Sequence, residues 1–219
     1  MSIPKSAVFD EDLNPVLNAC SNEELQYLVD LLKSTFTNFF TIEDDYIKYH
    51  PDHRKYSDWI AAHIRRLGGN SFANFFRALN DSTTNATSIG PKYKEIVCDV
   101  ANKLKVQYNK NNSVDELEML IYKKVKEIFM SKATKEKKEA FLKALGKEKS
   151  VLDDSFFLGL LASPASMPLV VSAMPFLLAP VITGAWFVSS EAYRITVPAV
   201  VYVTVLRQKQ KSKKYGANV

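Results

Sequence analysis

His50-Pro-Asp-His53, with Asp58 and His63 close behind, is the only cluster in this 219-residue chain whose residue types suit a metal ion. Its spacing does not suit one. Two histidines at i, i+3 around a proline lack the i, i+4 helical pair of zinc proteases, and no glutamate follows His50 as a general base. These histidines read as surface or helix-capping residues, with no metal and no cofactor. Gly68-Gly69 is no phosphate loop, because neither G-x-G-x-x-G nor G-x-x-x-x-G-K-[ST] occurs. A helix end closed by a glycine at positive φ is the reading there. Cys20 and Cys98 stand in no C-x-x-C spacing and suit reduced thiols within helices. No nucleophile elbow or triad signature appears, so the residues assign no catalytic group and the chain reads as non-enzymatic.

The strongest feature is physical rather than chemical. Ser155 to Ser190 holds no Asp, Glu, Lys or Arg across 36 residues. After Glu191 and Arg194 a second uncharged run, Ile195 to Leu206, ends in Arg207, Lys209, Lys211, Lys213 and Lys214. A bilayer core of about 30 Å takes about 20 helical residues at 1.5 Å each, so one straight crossing leaves much of the first run unused. Pro175 offers a turn, with Phe156 to Met174 entering and Phe176 to Ser190 returning. Lys147 and Lys149 on one side and Arg194 with the Arg207 cluster on the other keep both ends cytoplasmic. Ile195 to Leu206 is too short to span and suits the interface, its basic end on anionic headgroups. Phe156, Phe157, Leu160, Leu169, Phe176, Leu177, Trp186, Phe187, Arg207, Lys209, Lys211, Lys213 and Lys214 are therefore the candidate membrane contacts. A soluble protein can also bury such a hairpin in its own core, and Val197, Val200, Val201, Val203 and Val205 equally fit a buried strand.

Charge agrees with a membrane surface better than with nucleic acid. Met1 to Asp154 holds 23 acidic and 23 basic residues, while the remainder holds one acid against six bases. The net charge of +5 is thus wholly C-terminal, and the lysines near 123 to 149 alternate with Glu127, Glu136, Glu139 and Glu148 as on solvated faces. Specific nucleic-acid binding is not expected. The N-terminal stretch lacks the apolar core of a secretory signal, so the head is expected on the cytoplasmic side.

The elements upstream are helical. Ser21-Asn-Glu-Glu24 forms a capping box ahead of Leu25, Leu28, Val29 and Leu32, which predicts a helix over about 22–33. Phe36, Phe39, Phe40 and Ile42 form an aromatic patch suited to the core. From Asp52 the periodicity is helical again, with Trp59, Ile60, Ile64 and Leu67 opposite Arg54, Lys55, Arg65 and Arg66. Asn80 to Gly90 is a polar loop. Pro91 fits the first turn of a helix with Ile96, Val97, Val100 and Leu104 as its stripe. Ser113-Val-Asp-Glu116 is a second capping box, opening four turns that run from Val114 to Phe129. Thr134 opens a lysine-rich helix carrying Phe141, Leu142 and Leu145.

Three stretches, Leu67-Gly-Gly-Asn-Ser-Phe-Ala-Asn74 with Arg77, Tyr93-x-Glu-Ile-Val-x-Asp-Val-x-x-Lys-Leu-Lys-Val106, and Ala192-Tyr-Arg-Ile-Thr-Val-Pro-Ala-Val200, resemble the YaaW-like family of uncharacterised bacterial proteins. The resemblance runs from Ser21 to Arg207 and implies a mostly helical protein with an apolar, small-residue-rich C-terminal part. It brings no established activity. Asn74, Arg77, Asp99 and Lys103 are the polar residues within those stretches, and they make a candidate interaction surface or a plain solvated helix face. Two departures stand out. The family tends to place glycines after the arginine matching Arg77, where this chain has Ala78-Leu79, and its apolar run is glycine-rich where this one carries Pro164, Pro168, Pro175 and Pro180. The middle helices are also loosely similar to ubiquinol–cytochrome c chaperone domains, which implies assembly or adaptor work.

The expectation is an all-α chain: an irregular lead-in over 1–20, a helical head over 21–154, an apolar hairpin over 155–206 and a basic tail over 207–219. Its expected role is that of an interaction protein attached to the inner face of the cell membrane through anionic lipid, with a protein partner. Two alternatives stand beside it. One is a soluble adaptor or assembly-chaperone-like protein with the hairpin buried. The other is a membrane-perturbing protein that releases the hairpin on a signal.

Overall fold

Serine hydroxyls start two of the longer helices. In both, the Ser side chain accepts from the backbone N–H three residues on, and that residue's glutamate accepts from the Ser N–H: Ser21 with Glu24, and Ser113 with Glu116. Each box satisfies two amides that a helix start leaves open. The computed structural model describes residues 9–34, 39–68, 90–144, 177–178 and 191–216. Within them lie α1 (Asn14–Asn18), α2 (Asn22–Lys33), α3 (Asp44–Tyr49), α4 (Ser57–Leu67), α5 (Tyr93–Lys103), α6 (Val114–Lys132), α7 (Lys135–Ala144) and α8 (Glu191–Gly216). Two 3₁₀ turns, Phe39–Ile42 and His53–Tyr56, flank α3. Among the described residues there is no strand.

The apolar stripes of α2, α4, α5 and α6 all face α8. Leu25, Leu28, Val29 and Leu32 of α2 are at most 1% exposed, as are Ile96, Val97, Val100 and Leu104 of α5 and its C-cap. On α8 itself Ile195, Val197, Ala199 to Val203, Val205 and Leu206 are all buried. That helix packs on α1, α2, α4, α5 and α6, so it is the centre of the core. A helix apolar on every side needs such an all-round cover.

This overturns the interfacial placement of Ile195 to Leu206, and the strand alternative with it. The β-branched residues there fit a helix because each is enclosed by a neighbour, and Thr204 turns its hydroxyl back to the Val200 carbonyl at 2.8 Å. The boundary between 206 and 207 also dissolves, since α8 continues to Gly216. The lead-in is likewise part of the head. Pro15 sits in the first turn of α1, and Leu13, Val16 and Leu17 are buried. The part of the proposed hairpin over 155–190 falls on residues outside the description except Leu177 and Leu178, which are 2% and 1% exposed within the core. Among the described residues no helix is long and apolar enough to cross a membrane.

Two glycines work by close approach. Gly68 closes α4 with φ −79° rather than a positive φ. Its hydrogen faces Ile96, and a Cβ there would lie 2.2 Å from Ile96 Cδ1. Gly90 has φ +78°, and a Cβ would meet the Arg65 carbonyl oxygen at 2.5 Å. Pro91 lies before the helix rather than in it, because Lys92 is the N-cap of α5.

Candidate functional site

The most concentrated polar chemistry lies where α8 leaves the core. Glu118 sits on the apolar face of α6, between Val114 and Ile121, and is fully buried. It accepts from Tyr93 Oη at 2.8 Å, from Arg207 Nε at 2.6 Å and from Arg207 Nη2 at 3.1 Å. Arg207 Nη2 also donates to the Asp12 carbonyl at 2.7 Å, fastening the lead-in. Burial pushes the Glu118 carboxyl above the usual range, against the Arg207 hydrogen bonds and charge that hold it down. Burial works against the Arg207 charge too, but the Glu118 carboxylate outweighs it and holds the guanidinium above its ordinary value. The Tyr93 hydroxyl is pushed well up by burial and by the Glu118 charge.

A second buried carboxylate continues the network. Asp10 Oδ1 accepts from the Asp12 and Leu13 amides, and Oδ2 from the Tyr93 amide at 2.9 Å. Arg65 Nε lies 3.5 Å from Asp10 Oδ2 and donates to the Pro91 carbonyl at 2.8 Å. Arg65 is therefore inside the fold, not on the solvated side of α4 as its spacing suggests. Burial lowers its pKa, and Asp10 and Glu95 oppose that. Tyr93 and Glu118 are both 0% exposed, so this hub positions α1, α4, α5, α6 and α8 and contacts no solute.

The basic collar is distributed over the same helix. Lys209 is buried against Glu24. Lys211 pairs with Asp115 at 2.7 Å, and Gln208 Nε2 donates to the other Asp115 oxygen at 2.8 Å. Arg207 and Lys209 are covered by protein, which removes them as lipid contacts in this conformation. Only Lys211, Lys213 and Lys214 of the five are exposed. Leu177 is buried. Phe156, Phe157, Leu160, Leu169, Phe176, Trp186 and Phe187 lie outside the described residues.

Of the polar surface candidates, Asn74 and Arg77 also lie outside them. Asp99 and Lys103 stand one turn apart on α5, both half-buried, and Lys103 Nζ lies 4.7 Å over the Tyr193 ring of α8. Two of the three family-like stretches thus meet here, through residues of α5 and Tyr193. Burial and then Glu95 raise the Asp99 carboxyl, and burial and then Asp99 raise the Tyr193 hydroxyl.

The histidines depart from a surface reading. His53 is 1% exposed, with Nδ1 2.5 Å from Tyr56 Oη and Nε2 2.7 Å from Gln26 Oε1. His63 is 5% exposed, edge-on to Phe40 at 5.0 Å, and among the described residues its Nε2 has no hydrogen-bond partner. Glu43 Oε1 lies 3.5 Å from that nitrogen and accepts from Arg66 Nη1 at 3.0 Å. Burial lowers both histidine pKa values. His50 is exposed and stacks on Tyr46 at 4.8 Å. Among the described residues no three metal-ligating side chains gather.

Sequence reasoning missed Asp10 and Glu118, and it named Glu24, Arg65 and Tyr93 without their buried partners. The signal was present for Glu118, a charge three residues before Ile121 and four after Val114 on one helical face.

The class that emerges is an all-α protein built round a buried C-terminal helix that is locked by a carboxylate–arginine hub. Two proteins of Helicobacter pylori, each described as a UPF0174 protein, are similar to it over most of its length. They are 30% and 32% identical over 210 and 214 residues, covering 77% and 79% of this chain and 96% and 98% of theirs. The UPF0174 protein YaaW of Escherichia coli K12 is 27% identical over 234 residues, covering 91% of this chain and 94% of its own. The chain belongs to the UPF0174 family. No family model matches it, and no solved structure does.

Proposed function

We propose that this chain is a non-enzymatic interaction protein, held at the cytoplasmic face of a membrane by residues 155–190 and presenting its helical head to a protein partner. The observation that carries the reading is where the 36 uncharged residues fall, between two helices of one head. Phe141 of α7 packs on Phe129 of α6 at 5.0 Å, and α8 fills the core. A single crossing would put α8 on the opposite side of the bilayer from the helices it packs against. The run must therefore return to the side it left. Leu177 and Leu178 lie in the head core, so in this reading lipid takes only the uncharged residues on either side of them, as shallow or re-entrant segments rather than full crossings of about 20 residues each. Arg194, exposed where the chain re-enters the head, is a cation on the retained side.

A second reading draws on Leu177 and Leu178, both buried within the core cluster. It makes the protein a soluble adaptor whose apolar run is covered by its own head.

Carbonate extraction of membranes from cells making the full chain, beside a chain with residues 155–190 replaced by a Gly/Ser linker, separates the two. The full chain is expected in the membrane pellet and the linker chain in the supernatant. Complete recovery of the full chain in the supernatant overturns attachment and leaves the adaptor.

A further inference from the structure

Lys209 and Lys213 of α8 help line a cleft of about 430 Å³ together with Ala19, Cys20, Ser21, Glu24 and Arg54. Three cations from two separate elements line it together with one carboxylate. Lys209 and Lys213 are four residues apart and so share a face of α8, an arrangement of like charges that costs helix stability unless it is countered. Glu24 counters only one of them. Its Oε1 holds Lys209 and its Oε2 accepts from the Ser21 amide. Neither Arg54 nor Lys213 makes an ion pair among the described residues. Arg54 is also placed rather than loose in its backbone, because its amide donates to Asn22 Oδ1 at 3.1 Å at the start of α2.

The cleft's lining thus carries three cations and one carboxylate, with Asp52 near Arg54 as a further partial counter-charge, between a fixed 3₁₀ turn and a helix locked into the core. An anion with several acceptor oxygens matches a guanidinium and an ammonium lining one cleft, since a guanidinium can engage two oxygens and an ammonium offers a point charge. We propose that this cleft binds a phosphate group, with Arg54 and Lys213 contacting its oxygens and Glu24 holding Lys209 behind them. The phosphate comes either from a soluble phosphate ester or from the headgroup of an anionic phospholipid. The site stands apart from the membrane anchor proposed above, because every residue in it belongs to the head.

The test uses the purified full chain, isotope-labelled and kept in neutral detergent where needed. Glycerol phosphate is titrated in one arm, and vesicles of phosphatidylglycerol with phosphatidylcholine, against phosphatidylcholine alone, in the other. Saturable shifts at Ser21, Arg54 and Lys213 with glycerol phosphate assign a soluble ester. The same shifts only with phosphatidylglycerol vesicles assign the headgroup. In either case Arg54→Gln and Lys213→Gln, both at exposed positions, weaken binding about tenfold each, while Lys135→Gln on α7 leaves it unchanged. No saturable response in either arm, or equal weakening by Lys135→Gln, overturns the proposal. Glycerol phosphate binding by a chain that carbonate leaves wholly soluble would end the membrane reading and keep this one.

Discussion

Glu118 of α6 and Arg207 of α8, 89 residues apart in the chain, form a two-pronged buried ion pair in which the carboxylate also holds the Tyr93 hydroxyl. Three of the hub's bonds end on that single side chain, so its loss strands the fully buried Tyr93 hydroxyl and a guanidinium that is mostly covered. Glu118→Ala is expected to cost about 3–5 kcal/mol in urea unfolding, the range for uncoupling a buried pair. Glu118→Leu with Arg207→Leu removes both charges and is expected to recover a large part of that loss. A double variant no more stable than Glu118→Ala would show that packing around Glu118, not its charge, holds the hub.

The two buried histidines set a pH dependence with a definite sign. Burial lowers His53 and His63 below the ordinary 6.5, so the unfolded chain takes up protons before the folded one does. Their contribution to stability is complete above 6.5 and is lost as pH falls through the folded values. Each is expected to add a slope of up to about 1.4 kcal/mol per pH unit in that window. Glu118 acts oppositely, since its raised pKa favours the fold at lower pH. The comparison that isolates the histidines is urea unfolding from pH 7 to pH 5 for the native chain and for His53→Gln with His63→Gln. The variant is expected to show a flatter slope, and an unchanged slope would mean the rings already carry charge in the fold.

How much of this was legible follows from what each signal measures. The capping boxes at Ser21 and Ser113 are local, and both helices begin where those residues say. Apolar periodicity likewise located the buried faces of α2, α5 and α6. The uncharged run before Leu206 was legible only as a demand for cover, because hydropathy does not distinguish lipid from the neighbouring faces of α1, α2, α4, α5 and α6. Arg65 and His53 were misplaced for a related reason. Their partners, Asp10 and Gln26, are distant in the chain, and no helical spacing reports a contact of that kind. Gly68 was assigned to a helix end correctly, but its own constraint is Ile96, 28 residues on, and Gly69 lies outside the described residues.

That constraint is testable. Gly68→Ala places a methyl inside the Ile96 side chain, and overpacking of this kind costs about 1–3 kcal/mol. Ile96→Ala removes the three atoms it would strike, so the double variant should lose less than the sum of the two single losses. Strict additivity would mean the α4 end shifts away instead. Gly90→Ala has no such rescue, because the obstacle is Arg65 backbone and φ is +78°. It is expected to be the more damaging of the two in thermal unfolding.

The two cysteines should differ in reactivity. Burial pushes the Cys20 thiol up to about 12, and its Sγ donates to the Val16 carbonyl at 3.1 Å, so almost no thiolate forms at pH 8. Cys98 is half-buried on α5. Iodoacetamide is expected to label Cys98 in the native chain and Cys20 only after denaturant, read by mass spectrometry of the peptides. Equal labelling in native buffer would show that the α1–α2 junction opens readily.

The core position of α8 decides which truncations are informative. Cutting after Asp154 removes the apolar run, but it also removes Val197, Val200, Val201, Tyr202, Val203, Val205 and Leu206, each at most 1% exposed. Burying one such side chain is worth about 1.5–3 kcal/mol, and a domain's whole stability is about 5–15 kcal/mol. Residues 1–154 alone are therefore expected to lack a cooperative thermal transition by circular dichroism. Replacing only residues 155–190 with a flexible linker keeps α8 and the hub, and is expected to retain one. Were residues 1–154 to melt cooperatively at the native temperature, α8 would be an accessory to the head and not its centre. The requirement that the uncharged run return to its starting side would then lose its basis.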